Sequence, residues 1–189
     1  MGTRGGGDLI LALLVAGLVG AEPPSLHLDP SQGSPLVVGR MDSVLRDSLR
    51  ARSVNLYPLD SLDRLRQRGE WTEGERTGSG VASLLSLTHR QALAWVRMDP
   101  LESRFFRIPW WYFWAKRSWT LRGEAFHATA EGIVSQRISQ EIVVPLGFVG
   151  TDDPDKYPPS SADQKQALDT LSGLWAAQAL PFLVGPQKP

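Results

Sequence analysis

The chain has 189 residues, 42% hydrophobic and 21% charged, which is one ordinary domain's worth of apolar material and too much for a disordered chain. Its 20 Lys and Arg balance its 20 Asp and Glu, so no net field draws it to nucleic acid or to an anionic membrane, and any such contact must be local. It has no cysteine, which removes disulfides, thiolate metal sites, a cysteine nucleophile and the acylated cysteine of a bacterial lipoprotein.

Residues 1–21 read as a signal peptide. Arg4 supplies the positive start, residues 9–19 are apolar apart from Gly17, and the small residues Gly20 and Ala21 place a cut before Glu22. The apolar run is about half the roughly 20 residues that a spanning helix needs, which favours cleavage over an uncleaved signal anchor. Residues 22–35, rich in Pro, Ser, Gly and Asp, read as a flexible leader. Residues 36–183 then form one domain, and residues 184–189 a tail.

Within the domain, Leu36, Val37 and Val38 form a short apolar run followed by Met41, Val44, Leu45, Ser48 and Leu49, a spacing that puts one apolar stripe on a helix that starts at Ser34 or Gly39, runs to about Arg52, and leaves Asp42, Arg46, Asp47 and Arg50 to water. Residues 53–57 alternate and end at Pro58, as a short strand does. A second helix starts at Asp60, carries Leu62 and Leu65, and stops at Gly69. After a polar loop over residues 70–77, Val81, Leu84, Leu85 and Thr88 predict a third helix opened by Gly78, Ser79 and Gly80.

Residues 92–98 are apolar on both alternate sets, Leu93 and Trp95 against Ala94, Val96 and Met98, which predicts a strand covered on both faces in the sheet interior. Residues 119–149 predict two or more antiparallel strands, with Gly123 and Gly132 as bulge or turn positions. A loop over residues 151–161 leads to a capping box, Ser161 with Gln164, and to a helix lined by Leu168, Leu171, Trp175 and Ala179 and ended by Pro181. These elements define a single two-layer α/β (α+β) domain, with a mixed sheet of about four to five strands and helices mainly on one face.

This element order, carried by residues 40–49, 55–65, 81–96, 119–142 and 166–180, resembles a group of bacterial envelope domains. They are the amino-terminal domain of the translocation protein TolB, the lipoprotein activators of penicillin-binding proteins, and the soluble domain of the curli secretion channel. The resemblance covers nearly all of the chain after the signal and implies a non-enzymatic envelope domain that binds other proteins. The chain departs from the activators and the curli channel in lacking their acylated cysteine, and from the whole group in the aromatic content of residues 105–119.

That aromatic segment is the strongest anomaly. Residues 104–119 hold eight aromatic residues in sixteen, bracketed by Arg104, Arg107, Lys116 and Arg117. Trp110, Trp111, Tyr112, Phe113 and Trp114 are consecutive, so one strand must turn rings to both faces. One set enters the core; the other meets a covering helix, a partner protein, glycan or the bilayer interface, where Trp and Tyr beside Lys and Arg are favoured. Arg107, Trp110, Trp111, Tyr112, Phe113, Trp114, Lys116 and Arg117 are accordingly the expected contacts with an envelope protein or the membrane interface.

Catalytic candidates fare worse. The glycine-rich turn at residues 78–83 opens a helix as phosphate-binding turns do, but it follows a polar stretch and not a strand. Asp152, Asp153 and Asp155 lack calcium-loop spacing, and His27, His89 and His127 lack zinc-ligand spacing. Glu124 and Glu131 are an odd number apart, on opposite faces of an uninterrupted strand, and no Gly-x-Ser-x-Gly elbow is present.

The reading is therefore an exported, periplasmic or secreted envelope protein that acts as a non-catalytic binding or assembly module without cofactors, metal or nucleic acid. The alternative is a periplasmic hydrolase or nucleotide-dependent enzyme whose site, gathering His127, Glu124 and an Asp, forms only in three dimensions. Mass spectrometry of the protein from its native host is expected to find a chain beginning near Glu22, whereas an intact Met1 terminus in a soluble cytoplasmic fraction would contradict export.

Overall fold

The structure, a computed structural model, describes residues 25–57, 78–107, 114–148 and 158–185. The signal peptide, the helix expected from Asp60, the polar loop over residues 70–77, residues 110–113 and the acidic loop at Asp152 lie outside the described residues. In chain order the elements are β1 (Ser25–Leu28), β2 (Gln32–Gly33), α1 (Pro35–Ala51), β3 (Asn55–Leu56), α2 (Gly78–Thr88), β4 (Ala92–Met98), β5 (Glu102–Arg107), β6 (Trp114–Thr129), β7 (Gly132–Phe148) and α3 (Ser161–Val184).

Seven strands form one mixed sheet of five lanes, β3-β1-β4-β6-β7. β1 is parallel to both β3 and β4, and β6 is antiparallel to β4, β5 and β7. β2 prolongs the lane of β1 along β4, while β5 prolongs the lane of β4 along β6. The two halves of each broken lane are stitched by backbone bonds, Asp29 N–H to the Ala94 carbonyl at 2.9 Å and Asp99 N–H to the Arg122 carbonyl at 3.0 Å. The two-layer α/β class, with a mixed sheet and helices mainly on one face, is as the sequence predicts.

The alternation of β4 sorts the two cores. Ala92, Ala94, Val96 and Met98 face α1 and α3, where they join Val37, Met41, Leu45 and Leu49 of α1 and Leu168, Leu171, Trp175 and Ala179 of α3. Leu93 and Trp95 face the other way and join Val81, Leu84 and Leu85 of α2 in a smaller cluster. β4 is buried on both faces, as its apolar content predicts, because it lies between β1 and β6 with helices above and below. α3 is long and apolar enough to cross a membrane by length and composition, yet half of its most apolar window is buried in the fold, as in a core helix.

Several sequence expectations shift. Residues 22–35 are not a flexible leader throughout, because Ser25–Leu28 is a strand in the sheet interior with Leu26, His27 and Leu28 all buried. Four residues were too few to show periodicity among Pro and Ser, and their partners are distant in sequence. Asp42 and Arg46 do not simply face water: the Asp42 carboxylate accepts from Ser31 N–H at 2.9 Å, and Arg46 donates to the Leu28 carbonyl at 3.0 Å, so α1 grips the bend between β1 and β2. Gly123 lies in mid-strand and not at a turn; a Cβ there would stand 2.8 Å from the Arg97 carbonyl and 2.7 Å from Met98 Sδ. Gly132 does open β7, across a two-residue turn from Thr129.

The capping box of α3 falls one residue earlier than expected. Ser160 Oγ accepts from Asp163 N–H at 3.1 Å and Asp163 returns the bond to Ser160 N–H at 3.2 Å, and the acidic residue also suits the positive end of the helix. Nor does Pro181 end that helix. It removes one backbone donor near the terminus, and the helix continues to Val184 because Leu183 is fully buried and its carbonyl accepts from the His127 ring.

Gly33 and Gly39 make opposite demands. Gly33 has φ +125 and a Cβ there would meet the Met98 carbonyl oxygen at 1.9 Å, whereas nothing lies within 4 Å of a Cβ at Gly39, exposed in the middle of α1. Chemical denaturation of single variants is expected to show Gly33→Ala losing about 3 kcal/mol and Gly39→Ala gaining about 0.5–1 kcal/mol. Equal effects at the two positions would contradict the close approach of β2 to β4.

Candidate docking surface

α2 covers only the end of its sheet face near Leu93, Trp95 and Ala128. Beyond it, the register puts Arg97, Glu102, Arg104, Phe106, Trp114, Lys116, Arg122, Glu124, Arg137 and Ser139 on that same face. Its middle is a shallow cavity of about 600 Å³ lined by Arg97, Arg122 and Arg137 with Asp99 and Glu124.

Two of the three arginines of this cavity are ion-paired. Arg97 donates to Glu124 at 2.9 Å, Ser135 Oγ donates to the other Glu124 oxygen at 2.8 Å, and Arg122 makes two bonds to Glu102 at 3.0 and 3.1 Å. The bonds from Arg97 and Ser135 hold the Glu124 carboxyl below its ordinary range, so it is a carboxylate near neutrality and has no proton to give. His127 stands on the opposite face of β6, where its Nδ1–H donates to the Leu183 carbonyl at 2.8 Å and its ring occupies the space that a Cβ on Gly185 would need. Glu124 and His127 are therefore not brought together, and the acid and base of the enzymatic alternative do not converge. Among the described residues no group of three His, Asp or Glu is placed to hold a metal.

The other histidines have structural settings. His89 takes φ +50 just past α2, where the Arg90 N–H closes on the Leu85 carbonyl at 3.2 Å, so it ends a helix. His27 is fully buried in β1, with neither ring nitrogen hydrogen-bonded and its ring 4.2 Å from that of Tyr57.

The aromatic end of this sheet face is different, because its apolar groups are uncovered. Phe106 is 41% exposed and Trp114 47%, against 3% for Trp119 in the main core. Antiparallel pairing sets Phe106 opposite Lys116 and Arg104 opposite Ser118, which places Phe106, Arg104, Lys116 and Trp114 on one face at the end of the β5–β6 pair. Arg104 is mostly exposed and Lys116 half-buried. The residues expected as contacts thus divide. Trp114 and Lys116 join the exposed face, while Arg107 and Arg117 take the opposite one, and Arg117 is only 3% exposed, so it is not a surface cation. Trp110, Trp111, Tyr112 and Phe113 lie outside the described residues. Phe106 and Arg104 join the exposed face as well, which the sequence does not show because it depends on the register of β5 against β6.

No family model matches the chain, and no curated protein does. Among solved structures it is similar to lipoprotein GNA1162 from Neisseria meningitidis, at 12% identity and a TM-score of 0.45 over 84% of this chain and 99% of that one. It is similar also to a minor lipoprotein from Acinetobacter baumannii, at 8% identity and 0.45 over 86% and 92%, and to the hypothetical protein CT253 from Chlamydia trachomatis, at 8% and 0.47 over 86% and 96%. Several of these similar structures are bacterial lipoproteins, and no single family is identified. At such identities and scores the likeness carries no argument about function, which rests instead on this chain's own surface.

His27 gives a pH dependence with a definite sign. Burial, and then the charge of Arg90, lower its pKa from 6.5 to about 4. The ring is neutral on both sides of the folding equilibrium above 6.5, so stability there is unaffected. As pH falls from 6.5 towards 4 the unfolded chain takes up a proton that the fold refuses, and stability drops by about 3 kcal/mol before levelling. Denaturation at a series of pH values is expected to show this loss in the natural chain and its absence in His27→Phe; an unchanged acid limb in the variant would contradict the assignment.

Proposed function

We propose that the protein is an exported envelope protein that acts as a non-catalytic binding or assembly module, docking on an envelope protein or the membrane interface through the aromatic end of its open sheet face. The observation that carries this reading is the pair Phe106 and Trp114, two large rings left exposed on one face beside Arg104 and Lys116. Exposed aromatic rings beside cations are what interface anchors and membrane-interface belts consist of. Trp110, Trp111, Tyr112 and Phe113, which precede Trp114 directly in sequence, extend the proposed contact.

Export is supported by where the sheet begins. A cut after Ala21 leaves three residues before Ser25, enough to spare β1, which the fold needs between β3 and β4. With no cysteine in these 189 residues to acylate, the proposed attachment to the envelope is by docking and not by a lipid on the chain.

Trp114→Ala tests the reading. Thermal melts are expected to change little, within about 0.5 kcal/mol for an exposed position. Capture from envelope extracts, or sedimentation with vesicles of phosphatidylethanolamine and phosphatidylglycerol, is expected to weaken by about 30-fold, equivalent to about 2 kcal/mol. A variant that loses stability but captures partners and vesicles as well as the natural chain would overturn the proposal and make the ring a packing group.

A further inference from the structure

The sheet ends on β7, which among the described residues pairs with β6 alone. Among these residues its outer side is therefore a row of backbone N–H and C=O groups without a strand partner, on a strand of 17 residues against a usual length of about five or six. Natural edge strands are blunted by shortness, Lys, Pro or bulges. Between Ile133 and Val144, β7 has no Lys and no Pro; Pro145 and the register shift opposite Ala115 and Lys116 come only at its far end. Its charged residues are two, Arg137 and Glu141. Val134 is 55% exposed, Val143 49%, Val144 40% and Ile133 38%, so apolar side chains stand uncovered on both faces of this edge.

The edge is also held in place from below. The indole N–H of fully buried Trp175 donates to the Ile138 carbonyl at 3.2 Å, and the Gln140 and Gln178 side chains are hydrogen-bonded, which ties the middle of β7 to α3.

We propose that β7 pairs with β7 of a second copy of this chain, antiparallel about a two-fold axis at Ser139, so that the two sheets become one. Facing residues of antiparallel strands share a face, so a two-fold axis normal to the sheet must pass through a residue position. An axis at Arg137 or at Glu141 sets like charges against each other. An axis at Ile138 or Gln140 leaves both charges facing uncharged side chains. The axis at Ser139 sets Arg137 of each copy against Glu141 of the other, twice over, and also sets exposed Val134 against exposed Val144. The register runs out where Ile133 meets Pro145, which has no N–H to donate. Such a contact is isologous and closes as a dimer, and it leaves the β5–β6 end of the open face free.

The chain has no cysteine, so single thiols read the register directly. Facing Cβ atoms lie about 5 Å apart, so Ser139→Cys thiols would meet across the axis. Two Ser135→Cys thiols would be eight residues apart along the pair, about 26 Å. Both positions are exposed in the single copy.

The full chain at tens of micromolar is expected to sediment as a dimer, and a short bifunctional thiol reagent to cross-link Ser139→Cys but not Ser135→Cys. Arg137→Glu is expected to weaken dimerisation at least tenfold, and adding Glu141→Arg to restore it. Because the double variant keeps the new carboxylate beside Glu124 within each copy, restoration isolates the contact between copies. A monomeric chain, equal cross-linking of the two thiols, an unreactive Ser139→Cys in a dimer, or a failure of the double exchange to restore association would each overturn the proposal.

Discussion

The pairing of β6 along both of its edges is the constraint on which the rest of the structure depends. Over its 16 residues β6 is bonded to β7 on one side and to β4 and then β5 on the other. That arrangement fixes which side chains of four strands share a face, since a slip of one residue would turn every side chain over. It explains why Gly123 is glycine, because the Arg97 carbonyl and the Met98 side chain lie where a side chain would start. It explains equally why Trp119, Leu121 and Ala125 lie in the main core while Glu124 and Arg122 face outwards.

The two faces of this sheet have different partners, and the difference carries the functional argument. α1 and α3 cover one face and are joined across their exposed side by Arg40 and Asp169 at 2.7 Å, a surface pair worth at most about 1 kcal/mol, so it is the apolar packing beneath that holds them. α2 covers part of the other face, where Trp95 and Phe126 stack at 4.9 Å, and no other helix among the described residues covers the remainder. On that open part the polar middle satisfies itself through ion pairs, while the aromatic end does not. Uncovered rings beside cations cost hydration that a partner would relieve, which is the physical content of calling this end a docking surface.

Elements whose period is long were legible from sequence. α1, α2, β4 and α3 stand close to where apolar spacing puts them, because each has enough turns or alternations to average over individual residues. β1 was not legible, since a four-residue strand is specified by its neighbours β3 and β4 and not by its own pattern. The end of α3 was misread for a related reason: His127, 56 positions from Leu183, supplies the hydrogen bond that a local reading of Pro181 could not anticipate. At the candidate site, the aromatic excess was plain in sequence, but which rings and cations share a face depends on the register of β5 against β6, and that register sends Arg117 inwards and leaves Phe106 outside.

Hydroxyl-radical footprinting, with and without envelope membranes, tests the account's central claim most directly, because it reads the exposure of individual rings in the intact chain. The account predicts strong labelling of Trp114 and Phe106 in the free protein, little at Trp119 and Trp175, and loss of the Trp114 and Phe106 signal when membranes are added. Protection of Trp114 in the free protein, or labelling that membranes leave unchanged, would contradict it.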